Sequence, residues 1–118
     1  MSVLPNTALN PTGIGPAGLK HRYHDSSLEG HKVGPQRELI LEIRLDRIWN
    51  PGGPEIVLLR FGAIDNTDEV REFFDRLGGS RVPDRVERIN LLERGKWMVE
   101  LDHAGALTIA TQKAPQEQ

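Results

Sequence analysis

From Glu38 onward the apolar residues of this chain keep regular periods, and before Arg37 they keep none. Over residues 38–48, Leu39, Leu41, Ile43 and Leu45 fall on one side, with Glu42, Arg44 and Asp46 on the other. That period of two belongs to a β-strand with one face buried. Asn50-Pro51-Gly52-Gly53-Pro54 then breaks the chain, because proline lacks a ladder donor and glycine accepts positive φ. A second strand, 55–62, follows with Val57, Leu59 and Phe61 in phase, and the short connector predicts an antiparallel hairpin.

The period then changes. Val70, Phe73, Phe74 and Leu77 recur at i, i+3, i+4 and i+7, which places one apolar stripe on a helix. Asn66 with Glu69 three residues on has the form of a capping box, and Asp68 and Glu69 put negative charge in the first turn, where the helix dipole favours it. Gly78-Gly79 predicts the end of the helix. Three further strands, 86–93, 96–102 and 106–112, are separated by Arg94-Gly95 and His103-Ala104-Gly105, the punctuation of a meander. The expected fold is α+β: a single mostly antiparallel sheet of about five strands in ββαβββ order, with one helix packed on one face.

Residues 1–36 carry Pro5, Pro11, Pro16 and Pro35, five glycines, and apolar residues scattered singly (Val3, Leu4, Leu9, Ile14, Leu19, Leu28, Val33). Such a segment alone buries too little surface to offset its ordering entropy. The expected organisation is therefore a flexible Pro/Gly/His-containing N-terminal arm over 1–36, an α+β domain over 37–112 and a disordered tail over 113–118.

Strand parity divides the domain into two faces. One set (Leu39, Leu41, Ile43, Leu45, Val57, Leu59, Phe61, Ile89, Leu91, Trp97, Val99, Leu101, Leu107, Ile109) suits the face beneath the helix. The opposite set should be polar if it met only water. Instead Ile40, Ile48, Ile56, Leu58, Leu92 and Met98 lie among Glu42, Arg44, Arg60, Arg88, Asn90 and Glu100. An apolar patch set among charges has the make-up of a recognition surface. The candidate interaction face is Ile40, Glu42, Arg44, Ile56, Leu58, Arg60, Arg88, Leu92 and Met98. The competing reading is that the arm folds back over it through Leu19, Leu28 and Val33.

Composition narrows the function. In 118 residues, 15 basic side chains meet 17 acidic ones for a net charge of −2, so the excess positive charge typical of nucleic-acid binders is missing. Arg44, Arg60, Arg88 and Arg94 share the outer face, but Glu42, Asp46 and Glu100 interleave them and parity assigns Phe61 and Trp97 to the inner one. Cysteine is absent, which removes thiol catalysis and cysteine-ligated metals. No apolar run reaches the ~20 residues that span a bilayer. The first residues lack the basic and apolar regions of a secretory signal, so a cytoplasmic protein is expected.

The chemistry-bearing patterns are sparse. Gly13-Ile14-Gly15-Pro16-Ala17-Gly18 spells a dinucleotide fingerprint without the preceding strand that it needs. His21, His24 and His31, with Asp25, are the metal-ligand candidates. Asp102-His103 suggests an acid/base pair, although neighbouring strand residues point to opposite faces. No cofactor is implied. The leading expectation is a small non-enzymatic interaction or accessory module that self-associates or binds a protein partner through the uncovered sheet face. The alternatives are a small-ligand or metal-dependent enzyme using the His-bearing arm or Asp102-His103, and thirdly a nucleic-acid-binding module.

Overall fold

The computed structural model describes residues 18–77 and 84–118. Within them the chain forms one antiparallel sheet of seven strands and one helix. The elements are β1 (Ser27–Gly34), β2 (Glu38–Arg44), β3 (Ile56–Phe61), α1 (Thr67–Leu77), β4 (Asp84–Glu93), β5 (Lys96–Leu101), β6 (Gly105–Ala110) and β7 (Gln116–Glu117). Their spatial order is β6-β5-β4-β1-β2-β3-β7. The α+β class, the β2–β3 hairpin, the helix and the β4–β5–β6 meander are as the periodicity predicts. The strand count and order are not. Five strands become seven, because β1 and β7 arise in segments expected to be an arm and a tail.

β1 has the central place. It pairs with β2 from Ser27↔Arg44 to Gly34↔Glu38, and with β4 through Ser27↔Arg85 and Leu28↔Asp84. The feature at Arg37 is thus a hairpin turn, with Arg37 itself at φ 56°. Sequence periodicity misses β1 for a physical reason. A bulge between Leu28 and Gly30 inserts Glu29, so Leu28 and Val33, five residues apart, oppose Ile43 and Leu39 on the same inner face. Read without the bulge they fall on opposite faces and cancel.

The segment before β1 is also built in. Leu19, Tyr23 and Leu28 are buried in the same core as Leu39, Leu41, Ile43, Phe61 and the helix residues Val70, Phe73 and Phe74. The described arm residues Leu19, Tyr23 and Leu28, with Val33 beside them, therefore pack into the inner core and not over the outer face; residues 1–17 lie outside the described residues. At the other edge, β7 pairs with β3 through Leu59↔Glu117 and Arg60↔Gln116. The Glu117 carboxylate accepts hydrogen bonds from the amides of Lys20 (2.5 Å) and His21 (3.0 Å) and from the Tyr23 hydroxyl (2.7 Å). One acidic side chain ties residues 20–23 to residues 116–118, so neither stretch is the loose end expected of it.

Asn66 shows a second departure. Its carbonyl accepts from the Val70 amide at 3.1 Å, as an N-cap carbonyl does. Its side chain leaves the helix and pairs with β6, donating to the Thr108 carbonyl (2.7 Å) and accepting from the Ala110 amide (2.9 Å). Asp65 donates to the Ala110 carbonyl (2.8 Å) and Ile64 to the Arg37 carbonyl (2.9 Å). The loop after β3 thereby satisfies part of the β6 edge, which would otherwise invite pairing with another chain. The predicted Gly78-Gly79 helix stop lies outside the described residues.

Two outcomes follow. A chain beginning at Gln36 loses β1 and the buried Leu19, Tyr23 and Leu28, so it should show no cooperative melt by circular dichroism, whereas the full chain melts in one transition. Tyr23→Phe removes one hydrogen bond to a partly buried carboxylate and should cost about 1–1.5 kcal/mol in urea unfolding at neutral pH. Burial first, then the hydrogen bond and charge of Glu117, raise the Tyr23 pKa above its ordinary value. The folded state thus holds the phenolic proton more tightly, and stability should fall as pH rises above ~10. Tyr23→Phe should flatten that alkaline limb.

Candidate functional site

On β1–β2–β3 the side chains opposite the helix form a two-dimensional check. Cross-strand partners are Ile40↔Arg60, Glu42↔Leu58 and Arg44↔Ile56, with Lys32↔Ile40, Gly30↔Glu42 and Gly34↔Glu38 on the β1 side. Directly opposed residues of antiparallel strands share a face, so six of the nine candidate residues (Ile40, Glu42, Arg44, Ile56, Leu58, Arg60) do assemble into one patch. Leu58 keeps 41% of its surface exposed, and Ile40 and Ile56 are half-buried.

Ion pairs fix most of the charges. Arg44 pairs closely with Glu55 and stands 4.0 Å from Glu29, and Arg60 lies 3.5 Å from Glu38. Two glycines keep the β1 strip low. A Cβ at Gly34 would lie 2.8 Å from Glu38 Cγ, and one at Gly30 would lie 3.2 Å from Glu42 Oε1. Those two carboxylate side chains therefore lie across β1 where side chains are missing.

The remaining three candidates lie elsewhere. Arg88 pairs with Glu100 at 2.9 Å, Met98 opposes Asn90, and Leu92 sits in a bulge of β4 with 51% exposure. β4 meets the start of β1 and runs on beside residues 25 and 26, since the Val86 amide donates to the Ser26 carbonyl (2.7 Å) and the Asp25 amide to the Val86 carbonyl (2.9 Å). Arg88, Leu92 and Met98 therefore form a second patch on the β4–β5 limb. Ile48 belongs to neither: β2 ends at Arg44, and Ile48 projects from the connector with 84% exposure. Phe61 and Trp97, the aromatic residues that a base-stacking surface would present, are buried against each other edge-to-face at 6.1 Å.

The histidines do not converge. The His21 amide is held by Glu117. His24 Nδ1 lies 2.9 Å from the Glu87 carbonyl, which makes it the protonated nitrogen, and its ring meets Trp49 edge-on at 5.3 Å. His31 lies on the inner side of β1, stacked on Phe74 with ring centroids 4.3 Å apart. Desolvation against that ring lowers the His31 pKa, partly offset by the charge of Asp75. Among the described residues, no group of three or more His, Asp or Glu side chains has the arrangement of a metal site.

Asp102 and His103 also part company. Asp102 pairs with Arg85 at 2.6 Å, while His103 Nδ1 lies 2.9 Å from Asp84, a residue for which the sequence carries no signal. The Asp84 carboxylate is almost fully buried and accepts from the amides of Arg85 (2.9 Å), His103 (3.1 Å) and Ala104 (2.8 Å) besides the imidazole. Burial alone would raise its pKa, but these hydrogen bonds together hold it below the ordinary carboxylate value. The His103 side chain is 88% exposed, so this pair lacks the water-excluded setting on which acid/base catalysis draws. Its work is to hold the β5–β6 turn against the start of β4. The Gly13–Ala17 part of the fingerprint lies outside the described residues. No helix among the described residues is long and apolar enough to cross a membrane.

Asp84→Asn keeps the shape but removes the charge that three amides and an imidazole address, and should cost about 2–3 kcal/mol. Because the folded-state pKa is lowered, the stability this carboxylate contributes is present above its unfolded pKa of ~3.9 and is lost as pH falls below it. The acid limb of unfolding free energy, measured by urea titration from neutral pH to ~3, should be shallower in the variant than in the native chain.

Comparison with protein-family models, with curated proteins and with solved structures finds no match for this chain.

Proposed function

We propose that this chain is a small, non-enzymatic, cytoplasmic interaction module that binds a protein surface through the outer face of β1–β2–β3. The observation that carries this reading is the contiguous check of Ile40, Ile56 and Leu58 with Glu42, Arg44 and Arg60 on a sheet face that α1 does not cover. Apolar side chains at the centre with charges around them suit a modest interface: the apolar groups provide the driving force, and the charges set register. The enzyme reading has less support among the described residues, because His21, His24 and His31 have separate neighbours and Asp102 pairs with Arg85, not His103.

Ile56→Glu combined with Leu58→Glu tests this. Both side chains lie on the outer face and contribute little to the core, so the melting temperature should stay within a few degrees of the native value. Self-association, followed by sedimentation velocity, and specific capture of a partner, followed by cross-linking in cell extract, are the two forms that binding can take. At least one should be present in the native chain and weaken tenfold or more in the double variant. A native chain that shows neither, or a double variant that keeps both at full strength, would sink the reading.

A further inference from the structure

The outer-face reading leaves the occupant open, and the next step rests on it. We infer that the occupant is a second copy of this chain, packed face to face about a two-fold axis with Lys32 of each copy against Glu42 of the other.

The charge pattern supports this first. Arg44 is answered within the chain by Glu55 and Glu29, and Arg60 by Glu38. Lys32 and Glu42 are exposed, and neither has an ion pair within the chain among the described residues. They are diagonal neighbours, since Lys32 opposes Ile40 and Glu42 opposes Gly30. One unanswered cation beside one unanswered anion is self-complementary under a two-fold rotation, which exchanges the two positions. A polyanion would instead meet Glu29, Glu38, Glu42 and Glu55 on or beside the same face.

The face is level enough for a second copy to approach: Ile40, Ile56 and Leu58 stand up from β2 and β3, and on the β1 side the Glu38 and Glu42 side chains lie over Gly34 and Gly30.

Size sets the expected strength. Three strands ~4.8 Å apart and seven residues long, at ~3.4 Å each, give roughly 350 Å² of footprint per copy. That is well below the ~800 Å² per partner of a standard stable complex. The dimer should therefore be weak, with a dissociation constant on the order of tens to hundreds of micromolar.

The test is a charge exchange followed by sedimentation equilibrium at ten to several hundred micromolar full-length chain. Lys32→Glu alone and Glu42→Lys alone each set like charges against each other twice per dimer, and each should weaken association about tenfold or more. Mixing the two variants one to one should restore near-native association as a heterodimer, and so should placing both changes in one chain. Both positions are exposed, so circular dichroism should show native melting; if either variant does not fold, Lys32→Gln and Glu42→Gln are the replacements, each with a smaller loss. A monomeric native chain at several hundred micromolar, or single variants that are not rescued on mixing, would overturn the inference. If capture of another protein still depends on Ile56 and Leu58 in that case, the outer-face reading stands and only the second copy falls. If the Ile56/Leu58 double variant alters neither association nor capture, both fall together.

Discussion

The insertion of β1 between β2 and β4 is the constraint on which the rest of the structure depends. The chain makes two local assemblies, the β2–β3 hairpin and the β4–β5–β6 meander, each able to form from neighbouring sequence. Neither borders the other. Among the described strands β1 alone pairs with a member of each, joining β4 through two residues, Ser27 and Leu28, helped by backbone hydrogen bonds at Asp25 and Ser26. The loop after β3 adds hydrogen bonds to β6 through Asp65 and Asn66. Leu28 is the pivot, opposing Ile43 on one flank and Asp84 on the other while buried in the core. The strand junction itself is short, and the loop after β3 and the shared core, with Phe61 against Trp97, couple the two limbs besides it.

Carboxylates brace that junction from two sides. Asp84, at the start of β4, gathers the β5–β6 turn through three amides and an imidazole. Glu117 gathers residues 20–23, just ahead of β1, and fastens them to the far edge of the sheet. In each case a charged acceptor satisfies backbone donors that regular secondary structure leaves unpaired, and charged hydrogen bonds are the stronger kind. Asn66 does the corresponding task with a neutral amide along β6. These polar contacts hold the sheet's limbs and ends in place, and the apolar core fills the space between them.

Much of this was legible in the sequence where the physics is local. The inner-face set from Leu39 to Ile109 is buried as parity requires, apart from Leu91, which lies half in solvent near the β4–β5 turn. The helix stripe Val70, Phe73, Phe74 lies where its period puts it. The outer-face check on β2 and β3 was legible for the same reason, because no bulge interrupts those two strands. Part of what was not legible traces to phase shifts within strands. Bulges at Glu29, Glu87 and Leu92 shift phase within a strand. That of Glu29 hides β1 altogether, that of Glu87 lets Val86 and Ile89, three apart, enter one core, and that of Leu92 falls in the β4–β5 patch that breaks away from the rest. Asp84 and Glu117 were invisible because a carboxylate in a polar stretch reads as solvated until its amide donors arrive from distant sequence.

Taken alone, the sequence determined the class of fold, the helix, three of the six strand pairings and the alternation that leaves apolar groups on the face opposite the helix. Each of these follows from side-chain direction repeating every two or 3.6 residues. Tertiary structure decided the sheet order, the ordering of residues 18–34 and 116–118, the separation of His21, His24 and His31, and the partner exchange that gives His103 to Asp84 and Asp102 to Arg85. Those outcomes rest on which surfaces meet across tens of residues, and no period along the chain carries that information.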